Sequence, residues 1–125
     1  MDRPQEDKTE PPPLQDEAVL EALLRYGPPS FLARLVEVYL ETTAVHVDQA
    51  EASAAQGEWE SLAFAAHSLK SSAGNLGLPR MLDTVQRLEF AARSMEVDEA
   101  KSLVAGLRKI WNDSCAALVE YRERL

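Results

Sequence analysis

One histidine and one lysine, three positions apart in a helical segment, could together handle a phosphoryl group. The neutral imidazole of His67 carries a nitrogen lone pair, which can attack phosphorus and form a phosphoramidate. Residues three positions apart share a helix face, so the ammonium of Lys70 could neutralise part of the added charge. Because such a pair is usually only a solvated helix surface, the spacing alone does not establish a function.

The helix that carries His67 is predicted to span about residues 58–73. At about 100° per residue, its apolar side chains fall in one arc and His67 falls outside that arc, so the imidazole should face solvent. The neighbours of His67 three or four residues away, and Gly74 two turns away, should leave room for a docking protein. The docking residues are therefore expected to be Ala63, Phe64, Ser71 and Gly74.

Four other helices are predicted around this one. Asp16 should cap a short helix ending near Tyr26, and Ser30 should cap a long helix ending near residue 55. Pro79 suits the first turn of a helix that ends near Arg93, and a last helix should follow residue 98. Short loops make the four substantial helices antiparallel neighbours. The predicted fold class is all-α: an up-down-up-down four-helix bundle with an additional short N-terminal helix.

Composition agrees with a single helical domain. The 125 residues are 46% hydrophobic but only 6% aromatic, which favours helix over strand. Residues 1–15 are rich in proline and charge, so a disordered N-terminal tail or linker is predicted there, with the bundle domain over residues 16–125.

Charge and cysteine content indicate the class of partner and the compartment. A net charge of -8 argues against nucleic acid and anionic membranes as partners, so proteins are expected instead. A single cysteine, Cys115, excludes an internal disulfide, and no apolar run is long enough to span a bilayer. A cytoplasmic protein, most simply a monomer, is therefore expected.

Two polar residues of the fourth predicted helix and one of the second could approach His67. Reflecting the fourth helix about a turn near residue 76 brings Gln86 and Glu89 to the level of His67, where either could orient the imidazole. An ordinary exposed role is an equally open interpretation for both. A similar reflection brings His46 near, but two histidines alone make a poor metal site, so no metal site is predicted and His46 is interpreted as structural.

Residues 66–78, AHSLKSSAGNLGL, closely resemble the signature of the histidine phosphotransfer (HPt) family, and the resemblance continues into Leu88-Glu89 and residues 91–93. It implies that His67 is the phosphoacceptor, that Lys70 lies near the phosphoryl group, and that Gly74 and Gly77 shape the turn. The family often has glutamine or glutamate corresponding to Glu89.

The resemblance also implies the partners. Family members transfer phosphoryl groups between the aspartates of receiver domains, so the expected partners are receiver domains of response regulators or a hybrid histidine kinase. Such a carrier has no cofactor of its own, and Mg²⁺ is supplied by the receiver. Ser71 departs from the family, which commonly has glycine at this position; because serine is small, tuning of the docking is expected rather than loss of it.

Two other functions compete with a phosphorelay intermediate. One is the phosphoacceptor and dimerisation part of a histidine kinase, but there an acidic residue usually follows the histidine, whereas Ser68 follows it here. The sequence also lacks a nucleotide-binding glycine loop, so kinase activity of its own is not expected. The other is a helical protein-binding module that transfers nothing.

Overall fold

Residues 10–125, which the computed structural model describes, form five helices. Their bounds are α1 Glu17–Leu24, α2 Pro29–Gln56, α3 Trp59–Asn75, α4 Pro79–Arg93 and α5 Val97–Glu123. Each of the four longer helices packs against its neighbours in the chain, and α5 closes the ring by packing against α2. The short helix α1 contacts α2. The predicted all-α, up-down-up-down bundle with a short N-terminal helix is confirmed.

A single apolar core fills the space between the four long helices. Each helix contributes leucines, valines or alanines that are less than a tenth exposed, and α1 adds Leu20. On α3 the core side is made largely of alanine, which lets neighbouring helices approach closely. Within the described part of the chain, no helix is both long and apolar enough to cross a membrane.

The helix ends agree with the sequence predictions at some positions and differ at others. Asp16 caps α1 as predicted, since its Oδ1 accepts a hydrogen bond of 3.1 Å from the backbone N–H of Ala18. The prediction that Ser30 caps α2 is wrong: Pro28 holds the cap position, and the helix begins at Pro29, two residues earlier than a cap at Ser30 implies. Proline at the first helical position has no N–H to satisfy and a suitable fixed φ, so no side-chain cap is required.

Other helix bounds differ from the predictions by one or two residues. Helix α3 continues through Gly74 to Asn75, so Gly74 is helical and does not shape the turn. Helix α1 ends at Leu24, before Tyr26, and α5 begins at Val97. Differences of this size are common at helix ends, where the last turn often loosens.

Side chains of α5 join it to α2 behind the core. Arg108 donates hydrogen bonds to Glu51 through Nε at 3.0 Å and to Asp48 through Nη2 at 2.6 Å. One turn further along, the indole N–H of Trp111 donates to Thr43 Oγ1 at 2.9 Å. These contacts fix the two helices that lie on either side of the α3–α4 pair.

The turn between α3 and α4 is closed over by the N-terminal segment. Gly77 has a φ of 67°, and its carbonyl accepts a 2.8 Å hydrogen bond from the N–H of Asp16. The carbonyls of Pro12 and Pro13 accept from Arg80 at 2.8 and 3.0 Å. The sequence predicts a disordered tail through residue 15, whereas residues 12 and 13 are hydrogen-bonded to α4. Residues 1–9 of that prediction lie outside the described residues.

Replacing Gly77 by alanine should destabilise the fold strongly. A Cβ at Gly77 would lie 2.7 Å from Val19 Cβ and 2.8 Å from the carbonyl oxygen of Asp16, at a φ that disfavours any side chain. Strain and overpacking together should lower the free energy of unfolding by roughly 2–4 kcal/mol. Gly57→Ala is the matched control, because Gly57 has a φ of 70° but no atom within 4 Å of the added Cβ. Urea unfolding should show a loss of about 1 kcal/mol for that control, and equal losses in both variants would contradict the packing argument.

Candidate functional site

His67 lies on the outer side of α3. On the inner side of the helix, Leu62, Ala66 and Leu69 are fully buried, and this fixes the rotation of α3 about its axis. The side chain of His67 is 55% exposed, as the helical periodicity predicts. The imidazole is therefore open to a second molecule without any rearrangement of the core.

Helix α4 brings one carboxylate onto the imidazole. Glu89 Oε2 lies 3.1 Å from Nδ1 of His67, and the Glu89 side chain is only 12% exposed. The antiparallel packing of α3 and α4 places these two residues at one level although 22 positions separate them in the chain. The carboxylate thus approaches the ring from the α4 side and leaves the Nε2 edge without a partner in the described part of the chain.

Two cations also bind the same carboxylate. Lys70 Nζ lies 3.0 Å from Glu89 Oε1, so it uses the oxygen that His67 does not. Arg93 is one turn along α4 and donates to Glu89 Oε2 from Nε at 3.0 Å and from Nη2 at 2.9 Å. Both oxygens of Glu89 are consequently occupied, and Oε2 is shared by Arg93 and His67.

These contacts keep Glu89 ionised. Partial burial raises the pKa of Glu89, but hydrogen bonds from Lys70, Arg93 and His67, together with the charge of Lys70, outweigh it and lower the pKa below its usual value. At neutral pH the group is a carboxylate, which only accepts hydrogen bonds. His67 Nδ1 must therefore carry the proton in this contact, and the lone pair of the neutral ring resides on Nε2.

The other candidate residues divide into those the structure brings to the surface and those it does not. Phe64 is 62% exposed, and Ser71 and Gly74 are also exposed on the same side of α3 as His67. Ala63 is 1% exposed, so its expected place on the docking surface is corrected to one in the core. Gln86 is exposed, and within residues 10–125 no hydrogen bond joins it to His67.

The second histidine lies on α2 and is less exposed than His67. His46 is partly buried, and its Nδ1 has no hydrogen-bond partner in the described part of the chain. Across residues 10–125, no three side chains of the histidine, cysteine, aspartate and glutamate types come together as a metal site would require.

A comparison with protein-family models identifies the family. Residues 34–121, well over half of the chain, match the model described as the Hpt domain. The chain belongs to the Hpt family. As an Hpt protein it is a histidine phosphotransfer protein of a phosphorelay, and it carries a phosphohistidine rather than acting as a kinase. Hpt proteins exchange phosphoryl groups with receiver domains.

A solved structure supports the same fold. The Hpt chain is similar to the histidine-containing phosphotransfer protein B (HptB) from Pseudomonas aeruginosa PAO1, with a TM-score of 0.83 and 21% sequence identity. The similarity covers 90% of this chain and 97% of the HptB chain. No curated protein matches this chain.

Sequence reasoning missed two features of this Hpt surface. Arg93 was assigned no place at the site, although its spacing of four residues from Glu89 is one at which helical ion pairs form. Val38 and Val45 of α2 are 39% and 64% exposed, and they are seven positions apart, so they lie along one side of α2. Exposed valines at helical spacing could have indicated a partner surface.

The charge contacts of Glu89 should make the stability of the Hpt bundle sensitive to acid. A carboxyl group whose pKa is lowered by folding contributes stability above its unfolded pKa, and that stability is lost as pH falls through its folded pKa. Wild type should therefore exceed Glu89→Gln in free energy of unfolding at neutral pH. The difference should shrink as pH falls below the ordinary value of 4.5. Urea unfolding of both proteins across this range measures it, and a difference that stays constant with pH would contradict the assigned contacts.

Proposed function

We propose that His67 carries the phosphoryl group of this phosphorelay protein and exchanges it with the aspartate of a receiver domain. The observation that supports this most directly is the exposed imidazole whose Nδ1 is held by Glu89 at 3.1 Å, which leaves the Nε2 lone pair as the nucleophile. The sequence has two histidines, and the other one, His46, is partly buried.

The transfer step uses this arrangement directly. Nε2 of His67 attacks the phosphorus of a receiver aspartyl phosphate, the P–O bond to the aspartate breaks, and its electron pair stays on the released carboxylate. The ring keeps its Nδ1 proton and becomes formally cationic, so its hydrogen bond to the Glu89 carboxylate strengthens as the reaction proceeds. An interaction that is stronger in the transition state than in the ground state accelerates the step. Transfer to the next receiver is the reverse of this reaction.

Lys70 supplies positive charge beside the transferred group. It lies one turn from His67 on α3, and its side chain is 33% exposed although Glu89 binds its ammonium. Phosphoryl transfer requires positioning and neutralisation of the phosphoryl oxygens rather than covalent help from the carrier. Lys70 neutralises part of the charge on the phosphoryl oxygens, and the receiver with its own Mg²⁺ supplies the positioning and the remaining positive charge.

The receiver docks on the surface that α2 and α3 share. Phe64, Ser71 and Gly74 flank His67 on α3 and are exposed, and Phe64 lines a groove together with Gln49 of α2. Val38 is close to α3, because it lines a groove together with Ser72 of that helix. An exposed apolar surface around a nucleophile suits a protein partner that must cover the reacting atoms.

The remaining functional assignments follow from the same class of reaction. The partners are receiver domains of response regulators or of a hybrid histidine kinase, and the strongly acidic chain, with a net charge of -8, does not bind nucleic acid or membranes. The protein acts in the cytoplasm, which its single cysteine favours. It acts as a monomer, since the reactive face must remain open to successive receivers. Gln86 lies three residues before Glu89 on α4 and is exposed, so it is a second candidate to orient the ring when a partner is bound.

Replacing His67 by glutamine should abolish phosphorylation and leave the helical fold intact, because the side chain is exposed and outside the core. A panel of phosphorylated receiver domains is incubated with each protein, and acid-labile phosphate is followed. His46→Gln is the matched control at the other histidine and should retain the label. Acid-labile label on His67→Gln would refute the assignment of the phosphoacceptor.

Replacing Phe64 by alanine should weaken docking without changing the intrinsic reactivity of His67. Loss of an exposed aromatic side chain from an interface should slow transfer from a receiver roughly fivefold to thirtyfold. Phosphorylation by the small donor phosphoramidate should be unchanged, since no protein surface has to dock. Tyr26→Ala removes another exposed aromatic ring, 85% exposed, at the end of the bundle near α1 and serves as the control. Equal slowing by both variants would contradict the proposed docking face.

A further inference from the structure

We propose that Arg93 is a positioning residue for phosphoryl transfer: it keeps Glu89 in place and charge-balanced against His67 while Lys70 leaves Glu89 for the phosphoryl group. This inference rests on the proposed function of His67. It assigns a task to a side chain of α4 whose guanidinium binds the same oxygen, Oε2, as the imidazole of His67.

Lys70 and Arg93 bind different oxygens of the Glu89 carboxylate. Lys70 binds Oε1 at 3.0 Å, whereas Arg93 and His67 both bind Oε2. When Lys70 moves away, the contacts at Oε2 are untouched. The carboxylate then keeps a cation and its contact with Nδ1, so the imidazole stays oriented with Nε2 toward the phosphorus.

A phosphoryl group on His67 would change the balance of charge around Glu89. Lys70 has one ammonium group, and in the free protein that group is bound to Glu89. A phosphoryl group on Nε2 brings further negative charge to the same surface, where an unneutralised Glu89 would repel it. Because Arg93 stays on Glu89, the loss of Lys70 from Oε1 does not leave the carboxylate without a cation. Arg93 also weakens the attraction of Glu89 for Lys70, which makes Lys70 easier to release.

An ordinary surface ion pair is the competing explanation. Arg93 and Glu89 are four residues apart on one helix, and the Arg93 side chain is 57% exposed. Exposed pairs of this kind contribute little. The two explanations make different predictions for the transfer rate. If Arg93 and Lys70 share the Glu89 carboxylate, the rate change on removing Arg93 depends on whether Lys70 is present. If Arg93 only forms a surface ion pair, it does not.

A double-mutant cycle measures this condition. The full-length chain is phosphorylated with phosphoramidate, and the rate at which phosphohistidine forms is measured for wild type, Lys70→Ala, Arg93→Ala and the double variant. Arg93→Ala should slow the reaction roughly threefold when Lys70 is present and roughly tenfold or more when Lys70 is replaced, because Arg93 is then the last cation on Glu89. Equal slowing in both backgrounds, or none in either, would overturn the proposal.

Two further variants separate charge from position. Arg93→Lys restores a cation at the same place and should recover most of the lost rate. Lys109 on α5 forms a comparable ion pair: its Nζ lies 2.9 Å from Asp113, four residues along the helix, and its side chain is 82% exposed. Lys109→Ala therefore removes a cation of the same kind away from the site. It makes the same change in net charge and should leave the rate unchanged. A rate loss in Lys109→Ala as large as that in Arg93→Ala would mean that net charge alone is responsible.

A titration without phosphoryl transfer keeps this test separate from that of the proposed function. Carbon-13 NMR of the Glu89 carboxyl group gives its pKa in the same four proteins. In Lys70→Ala that pKa should stay below the ordinary 4.5, because Arg93 still holds the carboxylate, and in the double variant it should rise above it. A Glu89 pKa above 4.5 already in Lys70→Ala, where Arg93 is still present, would refute the role of Arg93. If wild type takes no phosphoryl group, the proposed function fails, and the titration still decides whether Arg93 holds Glu89.

Discussion

The proposed chemistry of this protein depends on one contact between two helices, the 3.1 Å hydrogen bond between His67 Nδ1 on α3 and the Glu89 carboxylate on α4. It fixes which ring nitrogen carries a proton, and it places a negative charge where the ring would become positive in the proposed transfer. The carboxylate remains ionised in its partly buried position because Lys70 and Arg93 outweigh the cost of removing it from water. In the proposed function, this contact makes Nε2 of His67 the reacting atom.

The bundle holds this contact by ordinary packing. Glu89 reaches His67 only if α3 and α4 keep their register, and the turn at Gly77 sets that register under the cover of α1 and the preceding segment. Alanines on the inner sides of both helices allow the close approach that a contact between side chains of this length requires. The side chain of His67 is exposed and is not part of the core, so residues on this face can vary while the core stays the same.

The sequence pattern predicted the features that depend on one helix alone, such as the exposure of His67. Features that depend on how the helices pack together could not be predicted from it. The exposure of His67 follows from the apolar arc of α3, which the sequence displays directly. Ala63 and Phe64 fall on opposite sides of His67, at about 40° and 60° on a helical wheel. Ala63 is buried in the bundle, whereas Phe64 remains exposed and lines a groove together with Gln49 of α2. A sequence does not state on which side a neighbouring helix lies, so both were expected at the surface. For the same reason Glu89 could not be told from Gln86, and the place of Arg93 on the shared oxygen became visible only in the structure.

The most direct test of this account is to identify the nitrogen that carries the phosphoryl group. The protein is labelled with nitrogen-15 in its histidines and phosphorylated by a receiver, and phosphorus–nitrogen coupling is then recorded by NMR. The account predicts a single phosphohistidine, at Nε2 of His67, with Nδ1 still protonated toward Glu89. Phosphorylation at Nδ1 of His67, or at His46, would contradict it.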